Sequence, residues 1–366
     1  MLHPVHLHPS LIGSPLPWDV FTEAGVLVAG AGLPIQDEAH FRRLIARPLY
    51  RDIAYSEAMN RGPGINLLER LETLGREIDA LLTPPYGPLF SNQMGEWLRA
   101  LLKILHTDPD ACLGYLRRVP LARPSVHHSL HVLMVSVLLA EQNDLPAASQ
   151  FSLAGAAMTM NLAVLGIQDR MVGTASPPEA EDRVRMADHP IQSANLLIQG
   201  GVDDEDWLQA VRQHHENIDG SGYPAGLCIE SLSPLARILR VADVYCAKLE
   251  GRYYRPPQSP GTALKELFGR TRGYLDPLIS AQLVHTLGLN PPGTLVRLAN
   301  GERACITRRG RAGKPPAVAS FLDSRDRLLL PPRPRDQGRQ AYALRGYQSE
   351  ETGWPPINWK LLWGYP

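Results

Sequence analysis

Two adjacent imidazoles, His214 and His215, stand with Glu216 just before a short glycine-rich run, Asp219-Gly220-Ser221-Gly222-Tyr223-Pro224. Two imidazoles leaving the last turn of a helix beside a sharp loop can hold a metal ion or meet a phosphate. Seven of the 12 histidines fall between His106 and His215, namely His106, His127, His128, His131, His189, His214 and His215. That stretch is mostly apolar helix in pattern. Each imidazole there needs a polar partner, because an unpaired buried polar group costs about 1–3 kcal/mol. A lone histidine is satisfied by capping, packing or solvent, but the adjacent pair before the loop asks for more. Asp243 sits inside an otherwise apolar run and requires either a cation such as a metal ion or an arginine partner, Arg237 or Arg240.

The elements that must carry these groups are legible from period and punctuation. Residues 205–216 form an amphipathic helix, with Leu208, Val211 and His215 at helical spacing. Pro234 to Glu250 reads as one long apolar helix. Leu130 to Gln142 and Phe151 to Leu165 read as buried helices, and Asp276 to Leu287 as the last of the set. Ahead of them, Trp18 to Ala29 reads as a hairpin, Asp37 to Leu49 as a short helix and Asn66 to Leu82 as a second helix. That one is closed by Thr83-Pro84-Pro85-Tyr86-Gly87, a linker. After Asn290-Pro291-Pro292-Gly293 the period changes to two. Thr294 to Ala299 and Glu302 to Thr307, joined by Asn300-Gly301, predict a hairpin, and Val318 to Phe321 and Leu328 to Leu330 predict further strands. The tail from Pro331 reads as irregular, pinned by Trp354, Trp359 and Trp363.

The bulk properties narrow the function classes. The 366 residues are 44% hydrophobic and 20% charged, enough to bury a core, and their length suits two or three domains. Thirty-seven basic and 37 acidic residues balance, which disfavours a nucleic-acid partner. Cys112, Cys228, Cys246 and Cys305 are scattered and form no CxxC pair, so neither a disulfide framework nor a zinc knuckle is expected, and a cytoplasmic setting fits. No apolar run reaches the ~18 residues of a membrane span, and MLHPVHLHPS lacks the features of a signal peptide.

Taken in order, the motifs resemble one family. His214-His215-Glu216 followed by Asp219 to Leu227 is similar to the signature of HD-GYP domains, a branch of the HD metal-dependent phosphohydrolases that hydrolyses the bacterial messenger cyclic di-GMP. His128-Ser129-Leu130-His131 resembles the family's first histidine motif, and His189-Pro190 its His-Pro step. Pro234 to Tyr245 resembles its arginine-to-aspartate helix, and Arg252-Tyr253-Tyr254-Arg255 its phosphate-contact segment. The resemblance runs from about Val126 to Leu289, and the hairpin at Pro292 resembles the β extension that often follows. It implies a mainly α protein: an HD-type helical bundle with a small N-terminal α+β module and a short C-terminal β appendage. The corresponding divisions are 1–85 for the N-terminal module, 86–118 for a helical linker, 119–290 for the HD-GYP-like domain, 291–330 for the β extension and 331–366 for an irregular tail.

One motif is missing. The family is named for a His-Asp pair followed by Gly and Lys, before a Gly-Ile pair. Anchored on Gly166-Ile167, this chain has Met160 for the His, Asn161 for the Asp, Ala163 for the Gly and Val164 for the Lys. By resemblance His189, His214 and His215 hold one metal and His128 with Asp243 the other, while Arg237, Arg252 and Arg255 meet phosphate. Asp219, Gly220, Gly222, Tyr223 and Pro224 form the recognition loop. The family's aspartate bridges two metals, and Asn161 carries no charge to do so. Three histidines can still hold one divalent ion (Fe, Mn or Zn), and a site with no metal is the alternative.

These residues support a degenerate member of cyclic di-GMP signalling that binds the dinucleotide, or a partner such as a diguanylate cyclase domain through the loop, with weak or no hydrolysis. The alternative is an active phosphodiesterase, a hydrolase working with an incomplete metal site. No catalytic residue is assigned, and a homodimer is compatible with the sequence.

Overall fold

The computed structural model describes residues 2–16, 18–23, 27–30, 33–52, 66–172, 179–250, 256–269, 273–310, 314–349 and 354–365. The chain forms two compact units. One joins Met1–Leu68 to Thr294–Pro366, and the other is Glu69–Gly293. Among the described residues no helix is long and apolar enough to cross a membrane.

In the first unit, strands β1 (Leu2–Val5), β2 (Val20–Phe21), β3 (Leu27–Ala29) and β4 (Leu49–Asp52) form an antiparallel sheet in the order β1-β4-β2-β3. Helix α1 (Glu38–Ile45) is started by Asp37, whose carboxylate accepts from the His40 N–H, and it buries Phe41 and Leu44. The expected hairpin is therefore present, although its turn at residues 24–26 lies outside the described residues. The expected helix to Leu49 stops at Ile45, and Leu49 opens a strand instead.

The C-terminal part holds a second sheet of β5 (Leu295–Leu298), β6 (Arg303–Arg308), β7 (Ala317–Leu322), β8 (Leu328–Arg335) and β9 (Leu344–Tyr347), in the order β8-β7-β6-β5-β9. Gly301, at φ +88°, supplies the left-handed residue that the β5–β6 turn needs. Residues beyond Pro331 are thus not wholly irregular. β8 runs on through Pro331, Pro332 and Pro334, and β9 pairs with β5. Proline is tolerated there because β8 is an edge strand, where the outer row of N–H groups has no ladder partner to lose. Farther on, the Trp363 indole donates to the Thr307 carbonyl at 2.9 Å, and the rings of Trp354 and Trp359 pack edge-on against Phe321.

The second unit is helical: α2 (Leu67–Leu81, which straddles the boundary), α3 (Phe90–Thr107), α4 (Pro109–Leu116), α5 (Pro124–Gln142), α6 (Ala147–Thr159), α7 (Leu165–Met171), α8 (Ala180–Gln199), α9 (Glu205–Gln213), α10 (Pro234–Glu250), α11 (Pro260–Gly269) and α12 (Pro277–Leu287). Apolar on nearly every face, α5 is the buried centre, packed by α6, α10 and α12. Helices α6 and α9 meet at Gly155, where a Cβ would lie 2.5 Å from the Trp207 ring. The Trp207 indole donates to Thr159 Oγ1 at 2.8 Å, which locks the start of α9 to the end of α6.

The single helix expected from Phe151 to Leu165 is broken. α6 ends at Thr159, residues 160–164 make a turn closed by the Val164 N–H on the Asn161 carbonyl, and α7 begins at Leu165. The turn hides Met160, Asn161 and Val164, all of which are buried. Its Ala163 N–H donates to Ser193 Oγ at 3.1 Å, one helical turn along α8 from His189.

Candidate metal centre

The imidazoles come from two helices. His189 lies inside α8, just before Pro190, while His214 caps the C-terminus of α9 and His215 follows it. Their ligating nitrogens all lie within 4.8 Å of one another. His189 Nδ1 donates to the Met186 carbonyl at 2.6 Å and His214 Nδ1 to the Val211 carbonyl at 2.7 Å. A carbonyl only accepts, so both rings carry their hydrogen on Nδ1 and leave Nε2 bare. Those two Nε2 atoms face each other at 3.1 Å. Two lone pairs at that distance need a proton or a metal ion between them. Burial opposes the proton, since desolvation pushes His189, His214 and His215 below the ordinary histidine range, His214 to about 3. The donor set therefore fits a divalent cation, with Met186 and Val211 as the outer partners that orient metal-ligating imidazoles.

His128 stands on α5 with both nitrogens engaged. Nε2 is 3.0 Å from Asp243 Oδ1, and Nδ1 is 2.6 Å from Glu250 Oε2. Glu250 also takes His131 Nδ1 at 3.0 Å. Burial pushes His128 down, but Glu250 and Asp243 outweigh it and hold the ring up to about 9. Asp243 and Glu250 are themselves held well below the usual carboxylate range, against the opposing effect of burial, by the hydrogen bond and charge of His128. The expected pair His128 and Asp243 is thus together, and Glu250 is a partner that sequence reasoning missed. Its signal was available: it stands two helical turns beyond Asp243 on the same face of α10.

The glycine-rich loop is anchored from below. The buried Glu216 carboxylate accepts the N–H groups of Ala225 and Gly226 on Oε1, at 2.7 and 3.1 Å, and of Leu227 on Oε2, at 3.1 Å. Gly222 is required by contact, since a Cβ would lie 2.3 Å from the Asn217 nitrogen, and Gly220 by its φ of +78°. Tyr223 is left half-open and stacks on His215, ring centres 4.7 Å apart at 19°. Ser221 Oγ donates to Asp219 Oδ1 at 2.7 Å, so the loop's acidic end is tied to its own serine. Replacing Glu216 with Ala should cost about 3 kcal/mol, because charge-assisted hydrogen bonds contribute about 1.5–3 kcal/mol each and water replaces part of the loss. Hydrogen exchange should rise at Ala225, Gly226 and Leu227 first, and unchanged protection there would refute the anchoring role.

The expected phosphate contacts are less convergent. Arg237 Nη1 donates to the buried Asp276 at 2.8 Å, and that ion pair starts α12, as Asp276 also accepts the Leu278 and Ile279 N–H groups. Arg252 and Arg255 lie outside the described residues. Of the two arginines weighed as partners for Asp243, Arg240 is the one beside it, its Nη1 3.9 Å from Oδ2. The Asn161 amide, at the position of the missing aspartate, makes no side-chain hydrogen bond to any described residue.

Acid and alkali act on this centre from opposite sides. His189, His214 and His215 have folded pKa values below the unfolded ~6.5, so what they contribute is present above pH ~6.5 and lost as pH falls toward about 3 for His214. His128 has a folded value raised to about 9, so its contribution is present below ~6.5 and lost as pH rises toward 9. The melting temperature of chelator-treated protein should therefore peak near pH ~6.5 and fall on both sides. A His128→Asn variant should lose the alkaline fall; an unchanged alkaline limb would contradict the assignment.

Comparison with known proteins agrees with this geometry. Residues 99–279 match the family model described as HD domain. The chain is 27% identical over 258 residues to Cyclic di-GMP phosphodiesterase PA4108 of Pseudomonas aeruginosa, covering 70% of this chain and 62% of that protein. It is 42% identical over 85 residues to Cyclic di-GMP phosphodiesterase response regulator RpfG of Xanthomonas campestris pv. campestris, 23% of this chain and 21% of that protein. The chain thus spans less than two thirds of the length of either relative. A solved structure titled Bd1817, a HDG"Y"P protein from Bdellovibrio bacteriovorus, matches in fold with a TM-score of 0.52 and 16% identity, covering 78% of this chain and 99% of that one. With the helical bundle, the ordered histidine motifs and the glycine-rich loop in place, the chain belongs to the HD-GYP branch of the HD-domain proteins, and it carries Met160-Asn161 where the branch carries its His-Asp pair.

Proposed function

We propose that this protein works in cyclic di-GMP signalling as a binder of the dinucleotide, with weak or no hydrolysis. The observation that carries the reading is the buried, neutral Asn161 at the position of the family's aspartate, in a chain that keeps the three-imidazole cluster. Two-metal hydrolysis clamps the attacking and leaving oxygens with ions ~3.5–4 Å apart. An anionic bridge offsets the repulsion between two dications at that separation, and the neutral Asn161 amide supplies none. Met160 adds only a soft thioether, poorly matched to the hard ions of phosphate chemistry. Val164 puts a buried apolar side chain at the position of the family's lysine.

His189, His214 and His215 would hold one divalent ion (Fe, Mn or Zn). Such an ion supplies Lewis-acid polarisation of a phosphoryl oxygen. The chain's own residues would bind and orient: Tyr223 offers a half-open ring stacked on His215, and Asn161 offers an amide with no side-chain hydrogen bond to any described residue. Cyclic di-GMP is the proposed ligand because the relatives matched are named for acting on it. A diguanylate cyclase domain docking on the loop is the proposed protein partner. The second reading, an active phosphodiesterase using one metal, is favoured by the intact three-imidazole cluster.

Calorimetric titration with cyclic di-GMP, metal content by mass spectrometry and a hydrolysis assay with Mn²⁺ or Fe²⁺ test both readings. Binding with at most one ion per chain and negligible turnover supports the first. Robust turnover with two ions per chain would overturn it, and absence of binding would leave an interaction module.

A further inference from the structure

The Arg240 side chain touches both a histidine of the cluster and Asn217, just ahead of the glycine-rich loop. Its Nη1 is 3.1 Å from His215 Nδ1, while Nε and Nη2 reach Asn217 Oδ1 at 3.3 and 3.1 Å. A guanidinium has donors and no acceptor, and it stays charged at any ordinary pH. His215 Nδ1 is therefore the acceptor, and the neutral ring carries its hydrogen on Nε2. This is the reverse of His189 and His214, whose Nδ1 atoms donate to carbonyls and whose Nε2 atoms are bare. With Nδ1 occupied by Arg240 and Nε2 protonated, His215 can give a metal ion a lone pair only by breaking the Arg240 contact or shifting its proton.

The same guanidinium lies 3.9 Å from Asp243 Oδ2, on the carboxylate whose other oxygen meets His128. It thus places a fixed positive charge beside the carboxylate that a second dication would need. Arg240 acts twice against metal, by occupying a ligand atom and by raising the local potential. Asp243 alone meets that charge among the family's aspartate positions, since the aspartate of the family pair is Asn161.

We infer that Arg240 sets the metal capacity of the site, weakening the hold of His215 on a first ion and excluding a second by standing in for its charge. This rests on the reading that His189, His214 and His215 take a metal at all. Arg240 positions His215 and is not itself a ligand.

The test uses the full chain with Arg240→Leu, Arg240→Gln and Arg240→Lys, titrated with Mn²⁺ and with Zn²⁺ by calorimetry after chelator treatment. Thermal melts and circular dichroism check that each variant is folded. Leu and Gln remove the charge, and Gln keeps a donor and much of the volume in case Leu fails to fold. Both should bind metal at least tenfold more tightly than the unaltered chain, or take two ions where it takes one. Lys keeps the charge and should bind as the unaltered chain does. The inference fails if the unaltered chain binds metal and folded Leu and Gln variants bind it no better, or if Lys gains as much as they do. If neither the unaltered chain nor any variant takes up metal, the underlying assignment of the histidine cluster falls as well. A gain confined to the variants would support the inference in its strongest form.

Discussion

His214→Ala should abolish metal uptake, lowering the affinity for Mn²⁺ or Zn²⁺ well beyond the ~10–100-fold that loss of an outer partner typically costs. The ring is fully buried, and its bare Nε2 is aimed at His189 Nε2 from 3.1 Å. Alanine deletes one of the two nitrogens whose lone pairs already point at a common position. His189→Ala should do the same from the other side. The measurement is metal content after dialysis against a fixed free-metal concentration, with circular dichroism to check the fold. Retention of metal by both variants would mean that the ion sits elsewhere. The loss of stability in the absence of metal should be small. Removing one imidazole relieves the lone-pair opposition, so chelator-treated His214→Ala should lose less than the ~2–5 kcal/mol of an ordinary large-to-alanine core change.

The second large effect comes from restoring what the chain lacks. Met160→His with Asn161→Asp and Val164→Lys should raise metal stoichiometry toward two ions and bring cyclic di-GMP hydrolysis up by about a hundredfold or more, since each ~1.4 kcal/mol of transition-state stabilisation is tenfold in rate and a metal ion contributes several kcal/mol. The three positions lie on the turn between α6 and α7, which is tied to α8 through Ala163 and Ser193. The new groups therefore start from the right part of the fold. The imidazole and ammonium replace buried apolar side chains, so the triple variant is expected to melt below the unaltered chain without metal and to recover with it. Stoichiometry that stays at one while the fold is intact would point to Arg240 as the remaining obstacle, and the quadruple variant with Arg240→Gln would then separate the two causes. Hydrolysis already robust in the unaltered chain would instead overturn the binding-only reading.

What could be read in the residues follows from how local each feature is. The His214-His215-Glu216 pattern and its loop lie within a dozen or so consecutive positions, and the structure gathers them much as the spacing implied. Helix α10 begins at Pro234 and ends at Glu250, as expected, because proline marks its start and a continuous apolar pattern carries it. Asp243 announced itself as a carboxylate in that pattern. The features that escaped depend on distant partners or weak punctuation. Glu250 meets His128 and His131 across a bundle; its register with Asp243 marks its face of α10 but not the two imidazoles on α5 that it meets. The break after Thr159 has no glycine or proline to mark it, and Met160-Asn161-Leu162-Ala163 continues an apolar run while turning. Arg240 was weighed only as a partner for Asp243, because its contact with His215 depends on where α9 ends. Strand β9 was hidden in a proline-rich tail, since pairing with β5 is a property of the sheet and not of its own few residues.

Asn217 belongs to two hydrogen-bonded systems at once. Its carbonyl oxygen receives Arg240, which reaches His215, and its amide nitrogen donates to Ser221 Oγ at 3.0 Å, which in turn is held by Asp219. Loop and histidine cluster therefore share one residue that cannot serve both differently without cost. If a protein docked on the loop draws Ser221 away and changes the ion's affinity by some factor, the ion must change that protein's affinity by the same factor. The cellular supply of a divalent metal would then be read out as a change in which partners the loop retains.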